Sequence, residues 1–563
     1  LSNPSIWFPA EIDAVSNGSG TYHMAGGTFP GLPCVFIGHN EKIGWGVTTA
    51  YWDLADVYTE SLTSDNASVN FNGGTVPLIS KDYIFQDVST GTPVTKTFQW
   101  VPHHGPLVSS DTTAHTGVSV RWRGHDGGTD LDAFFAVDRA ATVDEAKSGL
   151  ATYATSANQN FVVVDGQGNI GWFPYSQVPT RPWASLALPP WLPLPGDGSA
   201  EWGAPVPFDQ LPQLENPPAG LIATANNEMT GASADGDPFN DGQAALQSWS
   251  KADGTRVQRI LDMLATNGDA NTVDTIQAMQ GDTYSLYASV VVPELTAVAS
   301  DPRLTADGLE VASLLTDWQY TCPTGLDGTD PMTSPVTSDS NDQLEAAGCM
   351  AFHTALFALG DDALGDELAA AGIHDTSGFG LEFIVRALRD PTSVASGDVF
   401  WDDVSTPLVT ETKADIMVAA LNDAGAVLAT IGTSDAWIWG RYHTLTLRSI
   451  YDNFGVTDYN YGPFAAQGGL YTVDVANPDI RTLLTTPEGD FSFENGPSIR
   501  IQVEATMNGT PTMRYELPGG EDLHDTSPFY NNLLPNWLSN TPVAFPFGPG
   551  AVQNPAQIVT LTP

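Results

Sequence analysis

The sequence predicts an α+β protein in which antiparallel sheets from both ends of the chain enclose a mainly helical excursion. Three observations carry this. Short segments of alternating apolar and polar residues, separated by turn residues, fill the first 250 positions. From Thr255 the apolar residues recur instead at helical spacing, and this texture runs to about residue 430. Alternating segments then return to the C-terminus. Strands and helices do not alternate one for one, which excludes a doubly wound parallel sheet, and no repeat of fixed period is present. The expected division is a β-rich first part over 1–260, a mainly helical insertion over 261–430, and a return to the core sheets over 431–563.

Taken in order, the phrase FVVVDGQGNIGWF (161–173) is two apolar runs around Gly-Gln-Gly-Asn, a hairpin signal, and SVNFNGGTVPLI (68–79) is a second. Proline dominates 179–218, which predicts an extended, rigid segment lying over a surface. RVQRILDMLA, TVDTIQAMQ, LEAAGCMAFHTALFAL and KADIMVAALNDAGAVLA carry the helical period. HTLTLRSI, GLYTVDV, SIRIQVEA and TMRYEL alternate and are expected to be strands.

At 563 residues the chain exceeds one ordinary core, and 42% hydrophobic residues exclude global disorder. Lys plus Arg number 20 against 66 Asp plus Glu, a formal charge of −46, so nucleic acid and anionic lipid are excluded as partners. The acidic residues are spread along the chain and read as a solvated surface. The apolar stretches fall well short of a membrane span. Cys34 sits in the apolar run LPCVFI and reads as a buried thiol. Cys322 and Cys349 close a polar loop rich in Pro and Gly and form a disulfide if the protein is exported. No Cys/His spacing suggests zinc.

Short catalytic motifs are absent: there is no GxSxG, HExxH, phosphate-binding glycine loop or EF-hand pattern. The ten His are scattered, with HHG at 103–105 the one close pair, and each alone reads as structural. The signal lies in longer phrases. PGLPCVFIGHNEKIGWGVTTAYWDLADVYTE (30–60), HHGPLV (103–108), NQNFVVVDGQGNIGWF (158–173), VPTR (178–181) and LPLPGDG (192–198) are followed by IATANNEMTG (222–231), DPFND (237–241) and TRVQRI (255–260). WIWGRYHTLTL (437–447) and LPGGEDLHDTSPFYNNLLPNWL (517–538) stand near the end. In this order they resemble the β subunit of the penicillin acylase family over nearly the whole chain, with the helical block resembling it least.

The resemblance implies a four-layer αββα N-terminal-nucleophile hydrolase, made as a precursor that cuts itself into α and β chains. The N-terminal Ser of β attacks a linear amide and its own α-amine is the general base, so no triad His is required. The implied partners are the α chain and a small acylated amide substrate. Residue by residue, Asn226 resembles the side-chain donor of the oxyanion hole, a neutral amide suited to a developing negative charge. Thr49 matches the position whose backbone N–H is the second donor. Arg256 matches the Arg that orients the Asn and the terminal amine with its planar fork, and Arg259 is the competitor one turn on. Asp53, Ala55 and Pro190 through their carbonyls where apolar, Asp56, and Asp237 of DPFND resemble the ligands of a structural Ca²⁺, an oxygen-only set suited to a hard cation. No organic cofactor is implied. Ile37 and Val47 correspond to lining positions of the acyl pocket, and buried strand residues look the same. His39 and His443 read as structural.

Ser2 stands too close to the IGHN phrase to be the family's nucleophile, its amine is locked in a peptide bond to Leu1, and PSIWFPAEI resembles the strand after the family's N-terminal segment. Ser2 therefore stands as a weak candidate, with the nucleophile expected upstream of Leu1. The first strand is missing from this sequence, or it is carried on another chain, or the protein is a silent relative. The leading expectation is a periplasmic or extracellular N-acyl amide hydrolase, acting on an N-acyl homoserine lactone, a β-lactam side chain or an acyl peptide. The alternative is a catalytically silent, Ca²⁺-stabilised secreted protein.

Overall fold

The strand that begins with IGWG is the central strand of its sheet. The computed structural model describes the chain except residues 17, 19, 234–235, 249–250, 374–378, 391–398, 407, 479–490, 508, 523, 554, 556–557 and 560–563. Ile43–Thr49 pairs with Ile37–Asn40 on one side and Gln159–Asp165 on the other, within a seven-stranded antiparallel sheet. Phe8–Asp13 and His23–Thr28 extend that sheet at one edge; Ile170–Phe173 and Leu214–Glu215 extend it at the other.

One face of this sheet packs on the helices Asp130–Arg139 and Val143–Tyr153, burying Phe134, Val137, Ala146 and Leu150 against Ile43, Trp45, Phe161 and Phe173. The other face packs on a three-stranded sheet containing Arg500–Glu504 and Thr512–Glu516. The two sheets approach so closely that a Cβ at Gly44 would lie 2.6 Å from Val503 Cγ1, which is why the strand carries glycine there. Behind the second sheet lies the helix Val273–Gln280, whose Gln280 side chain donates to the Ile501 carbonyl at 3.1 Å. Helix, sheet, sheet and helix are thus stacked in four layers, an αββα arrangement in an α+β chain.

A separate core joins the helices Leu286–Ala297, Ala306–Asp317, Ser340–Ala370, Phe379–Arg389 and Lys413–Ala429. Their starts are capped as the sequence suggests: Thr305 accepts from Gly308 N at 3.0 Å, and Asp339 from Asn341 N at 2.9 Å. Cys322 and Cys349 are bridged and tie the polar loop to the long helix, while Cys34 is a buried free thiol.

Both predicted hairpins form, Gln159–Asp165 with Ile170–Phe173 and Ser68–Phe71 with Gly74–Pro77. Two expectations fail. GLYTVDV is not a strand, because Gly468 and Tyr471 take positive φ (85° and 55°), Thr472 Oγ turns back to bond Asp474 O at 2.6 Å, and Leu470 N donates to His353 at 3.0 Å. The proline-rich segment does not merely cover a surface. It buries Arg181, Leu194, Ala200, Val206 and Leu211, and Leu194–Pro195 pairs in parallel with Ala55–Ser61.

Candidate active site

Asn226 adopts φ +64°, a left-handed conformation that Asn tolerates better than most residues. Its carbonyl accepts from Ala252 N at 2.8 Å, and the next residue, Asn227, accepts from Ala225 N at 3.0 Å, so the turn is fixed from both sides. The chain then enters the helix Thr255–Asn267, whose first turn is held by Asp253 Oδ1 on Thr255 N (3.0 Å) and Oγ1 (2.8 Å). That start places Arg256 over the turn. Its Nη2 donates to Asn226 Oδ1 at 3.0 Å and to Ala225 O at 2.9 Å.

This contact assigns the amide: Oδ1 faces the guanidinium, so Nδ2 faces the opposite way, and it donates to Thr49 O at 3.2 Å. An amide carries two such hydrogens, and the Thr49 bond uses one. Thr49 closes the strand Ile43–Thr49 opposite Gln159. Its carbonyl also accepts from Asn160 Nδ2 at 3.3 Å, and Asn160 Oδ1 is held by Trp172 Nε1 at 2.9 Å. Asn226, Thr49 and Arg256 are therefore brought together at one end of the central sheet. Arg259, the competitor for the orienting role, turns elsewhere: it forks Asp282 at 2.9 and 2.7 Å and stacks on Tyr284.

Burial lowers the pKa of Arg256, with Asp253 opposing it, and no carboxylate ion-pairs with this guanidinium among the described residues. Its Nε is buried without a partner. A cation left facing a neutral amide and a backbone carbonyl directs unspent positive potential at the Asn226 turn.

The residues expected as calcium ligands lie one strand further along. Arg181 forks Asp56 at 2.9 and 3.0 Å and reaches the Asp53 carboxylate at 3.2 Å, and Trp202 Nε1 adds a bond to Asp56 at 2.6 Å. Asp56 is thus the anchor of Arg181. Burial pushes the Asp53 carboxyl up to about 6; Arg181, shared with Asp56, opposes the rise, and the like charge of Asp56 adds to it. Ala55 and Pro190 line the same cavity of about 610 Å³ as Thr49 and Asp53. Asp237 belongs to the facing segment, which is brought against Pro190 by stacking of Trp191 on Phe239 at 5.8 Å. The donor chemistry and the under-compensated Asp53 fit a hard divalent cation. The three carboxylates, however, do not converge: among the described residues the one trio of metal-type ligand atoms within 4.8 Å is Cys322, Cys349 and His353, two of which form the disulfide.

Ile37 and Val47 meet in one apolar cluster with Trp7, Phe29, Phe36 and Leu517. His39 is buried with Nδ1 at 2.9 Å from Asn40 O, and His443 lies between Trp439 and Phe493 with its two nitrogens on Ala466 O and Ala476 O. Ser2 Oγ donates to Pro4 O at 3.0 Å and its backbone bridges to Arg448, so it bonds to neither Asn226 nor Arg256.

Two groups near the site escaped sequence reasoning. Arg181 was visible only as part of VPTR; the signal was a lone cation inside a proline-rich stretch of an acidic chain. Glu382, which accepts from Tyr471 Oη at 2.9 Å and is pushed up to about 7 by burial and by Asp253, comes from the helical block far away in sequence.

A family model described as penicillin amidase matches residues 1–554. The chain is 25% identical over 562 residues to an acyl-homoserine lactone acylase of Pseudomonas fluorescens strain Pf0-1, covering 98% of this chain and 63% of that protein. It is 28% identical over 293 residues to the penicillin acylase 2 proenzyme of Pseudomonas sp. strain SE83, covering 51% of this chain and 35% of that protein. It is 28% identical over 317 residues to penicillin G acylase of Escherichia coli, covering 55% and 36%. The chain thus spans less than two thirds of the length of these relatives. A solved structure, thermostable penicillin G acylase from Alcaligenes faecalis, superposes with a TM-score of 0.70 at 18% identity, covering 100% of this chain and 95% of that one, a likeness of fold.

Proposed function

The chain belongs to the penicillin amidase family, and from that membership we propose that it hydrolyses N-acyl amides through an acyl-enzyme. The observation that carries the reading is the Arg256–Asn226–Thr49 alignment. Arg256 orients the amide, and Asn226 Nδ2 together with the Thr49 backbone N–H donates to the oxygen that becomes negative as the carbonyl is attacked. Because the attacked carbonyl gains charge only in the transition state, donors fixed beforehand by Arg256 and Asn160 lower the barrier more than they tighten substrate binding. The nucleophile in this reading is an N-terminal Ser with its α-amine as base. In this reading Ser2, whose Oγ donates to Pro4 O and whose backbone bridges to Arg448, is not that residue.

The apolar cluster around Ile37 and Val47 receives the acyl group. An N-acyl homoserine lactone, a β-lactam side chain and an acyl peptide all satisfy that requirement. A companion α chain is part of the same reading, supported by the relative named as a proenzyme. The Cys322–Cys349 bridge supports a periplasmic or extracellular location, where disulfides persist. No helix among the described residues is long and apolar enough to cross a membrane. A structural Ca²⁺ would be held by Asp53, the Ala55 and Pro190 carbonyls and Asp237, neutralising buried negative charge.

The test is to incubate the native enzyme with N-octanoyl homoserine lactone, a penicillin and an octanoyl peptide, quantify released acid, and weigh every chain by mass spectrometry. The reading expects release from at least one substrate and a transient acyl adduct on a chain that begins with Ser. No release and no adduct would leave the silent, Ca²⁺-stabilised protein as the better account. Chelation checks the metal: thermal stability falls with EDTA and returns with Ca²⁺, whereas an unmoved melting curve removes it.

A further inference from the structure

The strand Ile43–Thr49 ends where its pairing changes character. Ala50 N donates to Asn158 O at 2.9 Å, so the pair one residue back, Thr49 opposite Gln159, is a non-hydrogen-bonded pair of the antiparallel ladder. The Thr49 N–H and C=O therefore both point away from Gln159–Asp165, and the ladder with Ile37–Asn40 on that other side stops at Trp45. Asn226 Nδ2 reaches the Thr49 carbonyl along this open edge, and the Thr49 N–H lies on the same edge.

The next rung of the alternation would join Trp52 to Ser156, but Ser156 N donates to Asp130 Oδ1 at 3.0 Å. The Asn158 side chain takes the place of that rung. Its Oδ1 accepts from Trp52 N at 2.8 Å and its Nδ2 donates to Trp52 O at 3.1 Å, the two bonds that a strand residue would exchange. Asn suits the position on two counts, since its amide both donates and accepts and its backbone tolerates the φ of +50° found there. The turn it clamps is strained. Tyr51 has φ +55°, costly for a bulky side chain, and such a conformation persists where the surroundings over-determine it. Gln247 Nε2 on Ala50 O and Ser248 N on Tyr51 O, both at 2.6 Å, hold the opposite side.

We infer that Asn158 is a positioning residue for acyl transfer, fixing the turn 50–52 so that the Thr49 N–H keeps its direction toward the developing oxyanion. Asn158 is half-buried in the wall of the cavity that Thr49 lines, yet both polar atoms of its side chain are engaged by Trp52, so it acts through the backbone. This rests on the acyl amide reading above and adds to it a residue that reading does not use. A turn free to relax would swing the Thr49 N–H off its line, which weakens a bond made in the transition state more than one made to the bound substrate.

The experiment compares the native protein with two variants. Asn158→Gly accepts φ +50° and removes both side-chain bonds, while Asn158→Asp keeps the acceptor for Trp52 N and loses the donor to Trp52 O. Each is assayed on whichever of N-octanoyl homoserine lactone, a penicillin and an octanoyl peptide the native enzyme hydrolyses fastest. The kcat is expected to fall about tenfold in Asn158→Gly and about threefold in Asn158→Asp, with KM within about twofold of the parent. Hydrogen exchange followed by mass spectrometry should quicken over residues 45–53 in Asn158→Gly, placing the change at the turn. A kcat within about twofold of the parent in Asn158→Gly, or a loss that circular dichroism accounts for by the unfolded fraction, overturns the inference and leaves the amide hydrolase reading standing. No turnover of any of the three compounds by the native enzyme overturns that reading itself, and the role of Asn158 with it.

Discussion

Two arginines in this molecule, Arg181 buried and Arg256 half-buried, have opposite surroundings. Arg181 lies against Asp53 and Asp56, with Asp56 accepting two of its bonds and Trp202 completing that carboxylate. Burial works against its charge, but the two acids outweigh burial and hold its pKa above the ordinary value. Arg256 meets a neutral amide and a backbone carbonyl, and burial wins, so its pKa is lowered. A fully answered charge makes a joint between chain segments. A charge left largely unanswered beside a turn makes a field available to something else, which is what a site for a developing oxyanion requires.

The contrast breaks in measurable ways. The largest effect is expected from Arg181→Met, which strands two acids in the interior: stability falls by about 3–5 kcal/mol in denaturant unfolding, and Asp56→Asn on the same background recovers part of it. Arg256→Met should behave in the opposite sense. With no ion pair to lose, its melting temperature moves little, while turnover falls by about ten- to a hundredfold as Asn226 loses its orientation; a stability loss as large as that of Arg181→Met would make the two arginines equivalent and remove the distinction.

The smallest effect comes from a buried cation that titrates. His104 lies between Glu60 at 2.7 Å and Glu201 at 2.9 Å and stacks on Tyr58. Burial lowers its pKa, but the bonds to Glu201 and Glu60 outweigh burial and raise it overall. Its folded value lies above the unfolded one, so the stabilisation is complete below the ordinary value of about 6.5 and is lost as pH rises through the folded value. The melting temperature of His104→Gln should therefore fall furthest below that of the parent at pH 5.5 and approach it at pH 9. A gap that is constant with pH would show that His104 is held neutral.

Much of this was legible in the sequence because it is local. The two hairpins carry their turn residues between apolar runs, and KADIMVAALNDAGAVLA forms a helix over Lys413–Ala429. Asn226 and Arg256 were approachable because they stand 30 residues apart on one loop-to-helix unit, within phrases long enough to be distinctive. What escaped was non-local. GLYTVDV has the alternation of a strand, yet His353 from the long helix captures its backbone and bends it away. The Arg181 pairing with Asp56 spans 125 residues, and no periodicity announces it. Glu382 reaches Tyr471 from a helix that lies in the segment resembling the family least.

On the proposed reading, the Asn226 side-chain amide stabilises the transition state of acyl transfer. The most direct test is Asn226→Gly, chosen because glycine accepts φ +64° without strain and so removes the amide alone. Its kcat for the best substrate of the native enzyme should fall by about 10²–10³-fold, with the melting temperature and KM close to those of the parent. A kcat within about threefold of the parent, in a variant that is folded, would show that the Asn226 amide does not stabilise that transition state.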